Sequence, residues 1–308
     1  MKKILALLLV LVMLFAFAAC GSDEETQPTN DPEPTDASDG EEEYVFTELT
    51  DEDWAKIAED YPADIKYDTE HEVGYQLEMP EAGDQIAIIH TTMGDITIRL
   101  FPENAPNTVE NFIGLAERGD YENVPFHRVI NNFMIQTGDT TAGNGTGGTS
   151  FSGDILYDEF CDKLFNIRGS VAMANSGRDT NGSQFFINQT PASETSSWDM
   201  LESQWEYFYE GIGTYYGTDS FIAFAAYYGG SCFNPNLMSD EVKALYDENG
   251  GNPHLDGCFN VFDRGHTVFG QVIDGMDVVD AIAAVETDDS DAPLESILIK
   301  SIEITTYE

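Results

Sequence analysis

The run Phe126-His127-Arg128-Val129-Ile130-Asn131-Asn132-Phe133-Met134-Ile135-Gln136 sets a cation and a carboxamide into an apolar, strand-like stretch. Burying a guanidinium is costly unless it is paired and hydrogen-bonded. Two readings follow. Arg128 is a structural ion-pair partner, or it stands as a fixed donor beside an apolar hollow lined by Phe133 and Met134. Its charge persists at any relevant pH, so in the second reading it serves as a permanent hydrogen-bond donor. Gln136 offers both an amide donor and an acceptor with which to hold the guanidinium. His127 alternates to the opposite face and reads as structural.

Other stretches carry weaker chemical signals. Gly143-Asn144-Gly145-Thr146-Gly147-Gly148 is rich in glycine, but no lysine follows and no helix opens there, so a plain mobile loop is favoured over a phosphate cradle. Cys258 and His266 lack the spacing of a metal site. The block from Gly169 to Asn188 contains Asn181-Gly182, a turn signal, followed by the strand-like Gln184 to Ile187. Phe185 and Phe186 alternate, so one faces a core and the other an opposite face or groove.

The elements that must position these residues are legible from periodicity. Ile86–Leu100 reads as a hairpin around Met93-Gly94-Asp95, with Ile96, Ile98 and Leu100 on one face. A helix is expected from Pro106-Asn107, burying Val109, Phe112, Leu115 and Ala116 and stopping at Gly119. A block from Gly265 to Met276 leads into a helix with Val278, Val279 and Ile282 on one side. Thr50-Asp51-Glu52-Asp53 opens a short capped helix whose default role is a brace. Ser239 to Tyr246, followed by Gly250-Gly251, reads as a capped helix with a glycine stop.

The chain has 308 residues and 57 acidic against 13 basic side chains, a net charge of −44. Such a surface repels nucleic acid and anionic headgroups, so a nucleic-acid partner is excluded and solubility explains the charge. Met1-Lys2-Lys3, an apolar run from Ile4 to Phe17 and small residues before Cys20 read as a secretory signal over residues 1–20. The tail Phe17-Ala18-Ala19-Cys20 resembles a bacterial lipobox, which implies lipidation at Cys20 and anchoring outside the cytoplasmic membrane. Residues 21–43 are an acidic, disordered tether. Residues 44–83 form an N-terminal extension, and 84–308 the main domain.

Three blocks in order, Phe-His-Arg-Val-Ile with Phe-Met-Ile-Gln, Ser-Gln-Phe-Phe-Ile and His-Thr-Val-Phe-Gly, resemble the cyclophilin family of peptidyl-prolyl cis–trans isomerases. The resemblance runs from about Ile86 to the final strand and implies a mostly β fold. That fold is a closed eight-stranded antiparallel β-barrel capped by two α-helices, here with a partly helical, aromatic-rich insertion at about 192–253. It implies Arg128 as the catalytic arginine and Gln136 as the residue steadying it. Phe133, Met134, Phe186 and Leu255 become walls of a proline pocket, and His266 lies on its rim. Ala174, Asn175 and Gln184 match positions holding the substrate backbone. The chain departs from the pattern twice. His254 stands where many eukaryotic members have the tryptophan on which cyclosporin relies, so weak cyclosporin binding is expected. Eight residues, Cys258 to Gly265, separate Leu-Asp-Gly from His266, where the family usually has one.

The insertion's aromatics read as a small core packed on the barrel, or alternatively as a surface for unfolded chains. Cys232 and Cys258 flank it and form a candidate disulfide, which leaves Cys161 buried and unpaired. The reaction implied is rotation about an X–Pro bond, which faces a barrier of about 18–20 kcal/mol. It makes and breaks no bond, so neither cofactor nor metal is called for. The functional expectation is a lipid-anchored, extracytoplasmic, monomeric isomerase acting on proline-containing segments of exported proteins. The alternatives are a non-catalytic peptide-binding or holdase module and, more remotely, a surface adhesin.

Overall fold

The computed structural model describes residues 48–60, 65–211, 233–260 and 265–308. The lipobox cysteine Cys20, the tether, Cys232 and the aromatics from Tyr215 to Tyr228 lie outside the described residues. Eight strands form one antiparallel sheet. They are β2 (Gln85–Thr91), β3 (Asp95–Leu100), β4 (Arg128–Ile130), β5 (Met134–Thr137), β7 (Ser170–Met173), β8 (Phe185–Asn188), β9 (Val268–Asp274) and β10 (Ile299–Thr306). The spatial order is β10-β2-β3-β9-β7-β8-β5-β4. Two short strands, β1 (Ile65–Lys66) and β6 (Phe160–Cys161), pair separately in parallel.

The expected closed barrel is corrected by this order: the sheet is an open half-barrel with β10 and β4 as edges. Among the described residues no ladder joins them, and an isolated bridge between Pro125 and Leu298 marks where they approach. Pro125 has no N–H with which to continue a ladder. The segment before β4 leans on the approach to β10 instead, with Phe126 N–H donating to Ile297 O at 2.9 Å. β4, three residues long, turns its Val129 N–H to Asp291 O at 2.8 Å rather than to a neighbouring strand.

Strand alternation divides the side chains into two layers. One face joins Ile89, Ile96, Ile98, Val129, Ile135, Val171, Phe185 and Ile187 in the main core. Helix α2 (Pro106–Arg118) adds Val109, Phe112 and Leu115 to it, and α5 (Met276–Ala283) adds Val279 and Ile282. Pro106 opens α2, and Gly119, at φ 81°, closes it by donating to Ala116 O and Leu115 O. The opposite face carries a second apolar cluster containing Met134, Ala172, Phe186, Val268 and Leu255.

The described part of the insertion has its own core. Helices α3 (Trp198–Glu206) and α4 (Asp240–Asn249) are capped by the hydroxyls of Ser197 and Ser239. They bury Leu201, Val242 and Tyr246 against Phe165 and Ile167 of the main domain. The extension reaches the same body. Gln76 donates to Phe165 O and to Gln271 Oε1, and Trp54 of helix α1 (Asp51–Asp60) stacks on Tyr209 at 5.8 Å. Among the described residues Cys161 and Cys258 form no disulfide, and the candidate Cys232–Cys258 pairing lies outside them.

Candidate active site

The register sets the floor of the site. Arg128 pairs with Gln136, Gln136 with Phe186, Phe186 with Ala172, and Ala172 with Val268. Residues directly opposite in an antiparallel ladder project to the same face. The arginine, the glutamine and the phenylalanine therefore form one row across β4, β5 and β8. Two residues along, Ile130 pairs with Met134, which brings the methionine onto that face. Phe133 enters from the tight turn before β5, where Asn132 adopts a left-handed φ of 59°. Phe133 packs with Ile130 and Ala174 against the buried Met134, Phe186 and Leu255.

The rim is built by the chain around residue 255. Leu255 is 8% exposed within this apolar cluster, and His266 N–H donates to Leu255 O at 3.0 Å. The extra residues between them thus leave and return at one point. Gly265 closes this neck: a Cβ there would sit 2.4 Å from the Gly257 backbone. The His266 ring meets Phe186 edge-on, with centroids 5.2 Å apart, and its Nδ1 bonds Met173 O at 2.9 Å. Burial pushes its pKa down, so the imidazole is neutral at pH 7. His254 stacks over Phe133 at 6.3 Å and 13°, and burial, helped by His266, lowers its pKa to about 4.

The glycine-rich loop carries its own anion. Asp139 accepts backbone N–H bonds from Thr141, Ala142, Asn144, Gly145 and Gly147, which holds its carboxyl well below the usual carboxylate range. Those amides are thus committed internally, which leaves no empty phosphate cradle. The ordered loop presents the carbonyls of Gly145 and Gly147 to Gln184 Nε2, at 2.9 and 2.7 Å. Gln184 Oε1 in turn accepts from Gln136 Nε2 at 3.0 Å.

The family model described as "Cyclophilin type peptidyl-prolyl cis-trans isomerase/CLD" matches residues 86–211 and 221–304. The chain belongs to this family. It is accordingly a cyclophilin-type peptidyl-prolyl cis–trans isomerase. A Staphylococcus saprophyticus relative named "Putative peptidyl-prolyl cis-trans isomerase" is 40% identical over 233 residues, covering 74% of this chain and 96% of its own. A Streptococcus pyogenes relative named "Putative bifunctional phosphatase/peptidyl-prolyl cis-trans isomerase" is 39% identical over 231 residues. This match covers 74% of the chain but only 40% of that longer protein. A crystal structure of a Cryptosporidium parvum cyclophilin is 27% identical with a TM-score of 0.47, covering 73% of this chain and 99% of that one. The same parvum protein has also been solved in the presence of the dipeptide Ala-Pro.

Within this cyclophilin the residues singled out from the sequence meet unequally. Phe133, Met134, Ala174, Phe186 and Leu255 share one cluster, with Arg128, Gln136 and His266 on its margins. Gln136 donates to Gln184, and Arg128 faces Asp291, with Nε 3.6 Å from Oδ2. Asn175 commits its side-chain amide to Gly265 O at 2.9 Å, tying it to the neck. Ala174 N–H donates to Gln184 O at 3.0 Å. The ring nitrogens of His127 are buried with no hydrogen-bond partner among the described residues, and burial lowers its pKa.

Sequence reasoning missed two carboxylates. Asp291 lies in an acidic surface run that gives no sign of reaching Arg128. Asp256 is buried beneath the neck and accepts from Asn166 N and Nδ2 at 2.7 and 2.9 Å, and from Tyr246 Oη. Burial raises its pKa to about 7 despite these bonds. Only a contact between the insertion and the rim brings Tyr246 to it.

Proposed function

We propose that Arg128 accelerates X–Pro rotation by stabilising the twisted imide of a proline held on this face. The single observation carrying the reading is the pairing row. Arg128, Gln136 and Phe186 leave three adjacent strands on the same side, beside the apolar cluster of Met134, Phe186 and Leu255. Twisting breaks amide resonance and localises a lone pair on the prolyl nitrogen, to which a permanently protonated guanidinium can donate. The apolar cluster grips the ring and excludes water, which strengthens that hydrogen bond in the twisted state over the planar one. Shortening tens of seconds to milliseconds is about four decades, or roughly 5–6 kcal/mol. A preorganised charged donor together with desolvation is of that order.

The substrate is a proline-containing peptide segment. The basic start, apolar run and Cys20 of the sequence support exported client proteins and a lipid anchor outside the cytoplasmic membrane. Measuring proline-peptide isomerisation by Arg128→Ala tests the arginine's part, with kcat/KM expected to fall about 10²–10³-fold while the fold is kept; wild-type rates would refute it. Metabolic labelling with a fatty acid, compared between wild type and Cys20→Ala, tests the anchor. Label on both proteins, or on neither, would remove it.

A further inference from the structure

We propose that Asp291 is a positioning residue for Arg128, an inference that rests on the reading of Arg128 as the donor to the imide. The family resemblance gives a steadying part to Gln136, whose Nε2 donates to Gln184 and whose Oε1 is its one group able to accept from a guanidinium; Asp291 adds a charged contact at Nε. Asp291 Oδ2 lies 3.6 Å from Arg128 Nε. Among the described residues no other anion comes within 4 Å of that guanidinium.

Backbone geometry delivers this carboxylate. Asp291 sits in the left-handed region at φ 63°, which few side chains other than Asn and Asp adopt readily. Its carbonyl accepts from Val129, the residue next to Arg128, and its N–H donates to Asp288 O at 3.1 Å. Asp288 braces the turn, accepting at Oδ1 from Ser290 N and Ala292 N at 2.8 and 3.0 Å. The turn is therefore clamped to β4 beside the arginine, and the carboxylate follows from that clamp.

The attachment point matters chemically. Nε is the guanidinium nitrogen nearest the aliphatic stem, and an anion there limits rotation of the planar group. The terminal Nη1 and Nη2 stay available to the imide. Holding a flexible arginine in one orientation before substrate arrives removes an ordering cost from the reaction. Both partners are part-exposed, with side-chain exposures of 30% and 44%, so the pairing is sensitive to salt.

The test is kinetic and compares Asp291→Gly, Asp291→Asn, Arg128→Ala and the double variant Arg128→Ala/Asp291→Gly. Glycine and asparagine both tolerate the left-handed backbone, so the turn should survive. Asp291→Gly is expected to lower kcat about threefold to fivefold with KM nearly unchanged, on the scale of part-exposed ion pairs. At 3.6 Å the pair is an ion contact rather than a hydrogen bond, so Asp291→Asn, which removes the charge, should fall close to Asp291→Gly. Raising salt from about 50 mM to about 1 M should bring wild type down toward Asp291→Gly, itself little affected. The double variant should match Arg128→Ala. An inactive Arg128→Ala beside an Asp291→Gly whose kcat stays within about 1.5-fold of wild type overturns this inference alone. Full activity in Arg128→Ala overturns the reading of the arginine and this inference with it.

Discussion

The two faces of β4, β5, β8 and β7 share one backbone and differ in almost everything else. On one face Val129, Ile135, Ile187 and Val171 are aliphatic and at most 2% exposed. On the other, the row one residue away reads Arg128, Gln136, Phe186 and Ala172. The first face is closed by α2 and α5, so only size and shape matter there. Among the described residues the second has no such cover over Arg128, which keeps 30% of its side chain exposed. A sheet with one filled face and one part-open face can place a cation within reach of a substrate without burying it unpaired. On the proposed reading of Arg128, the difference teaches that parity along the strand separates stability from chemistry.

That separation can be broken from either side. The largest stability effect is expected inside. Phe185 is fully buried against Phe112, Tyr121 and Phe269, so Phe185→Ala should lose about 3–5 kcal/mol in denaturant unfolding. Activity per folded molecule should be retained. A comparable loss of activity in the folded fraction would show that the faces are not separable. Arg128→Ala should do the reverse, lowering kcat/KM about 10²–10³-fold while unfolding stays within about 0.5 kcal/mol.

The rim sharpens the comparison, because stability and the proposed binding face meet there. A methyl group at Gly265 would press on the Gly257 backbone at 2.4 Å. Gly265→Ala should therefore cost about 1–3 kcal/mol and raise KM for proline peptides as Leu255 and His266 shift. An unchanged KM would free the rim from any part in binding.

The shallowest effect is a pH slope. The folded Asp256 carboxyl, raised to about 7, keeps its proton longer than an unfolded one near 4. Its contribution to stability is full in acid and is lost as pH rises toward 7, by at most about 1.4 kcal/mol per pH unit. His254 acts oppositely. Held neutral with a pKa of about 4 against an unfolded value near 6.5, it contributes stability above about 6.5 that is lost as pH falls toward 4. The informative quantity is thus the difference in unfolding free energy between wild type and Asp256→Asn, which imitates the protonated form. That difference should change steadily between pH 4 and 7, and a flat difference would mean the carboxyl is not desolvated.

Much of this was legible in the chain because it is local. Pro106 and Gly119 bracket α2, Ser239 and Gly250 bracket α4, and the hairpin around Gly94 falls where the turn chemistry sets it. The meeting of Phe133, Met134 and Phe186 in one apolar cluster was legible too, since motif and alternation together put them on one side. The closed barrel was not, because closure is a relation between the first-paired and last-paired edges. A prolyl residue at position 125 and a three-residue β4 decide that relation only once the strands have been arranged. The partner of Gln136 was hidden for the same reason: Gln184 is 48 residues away and meets it only across β5 and β8.

Sequence alone determined the parity of the strands, the helix boundaries and the presence of an undischargeable cation beside apolar side chains. Those depend on neighbours within a few residues, where backbone geometry allows few alternatives. Tertiary structure decided which anion faces Arg128, how the long segment after Leu255 returns to His266, and that the sheet stays open. Each of these joins residues far apart in the chain, and a contact of that kind is fixed by packing and desolvation of the whole, which no local pattern records.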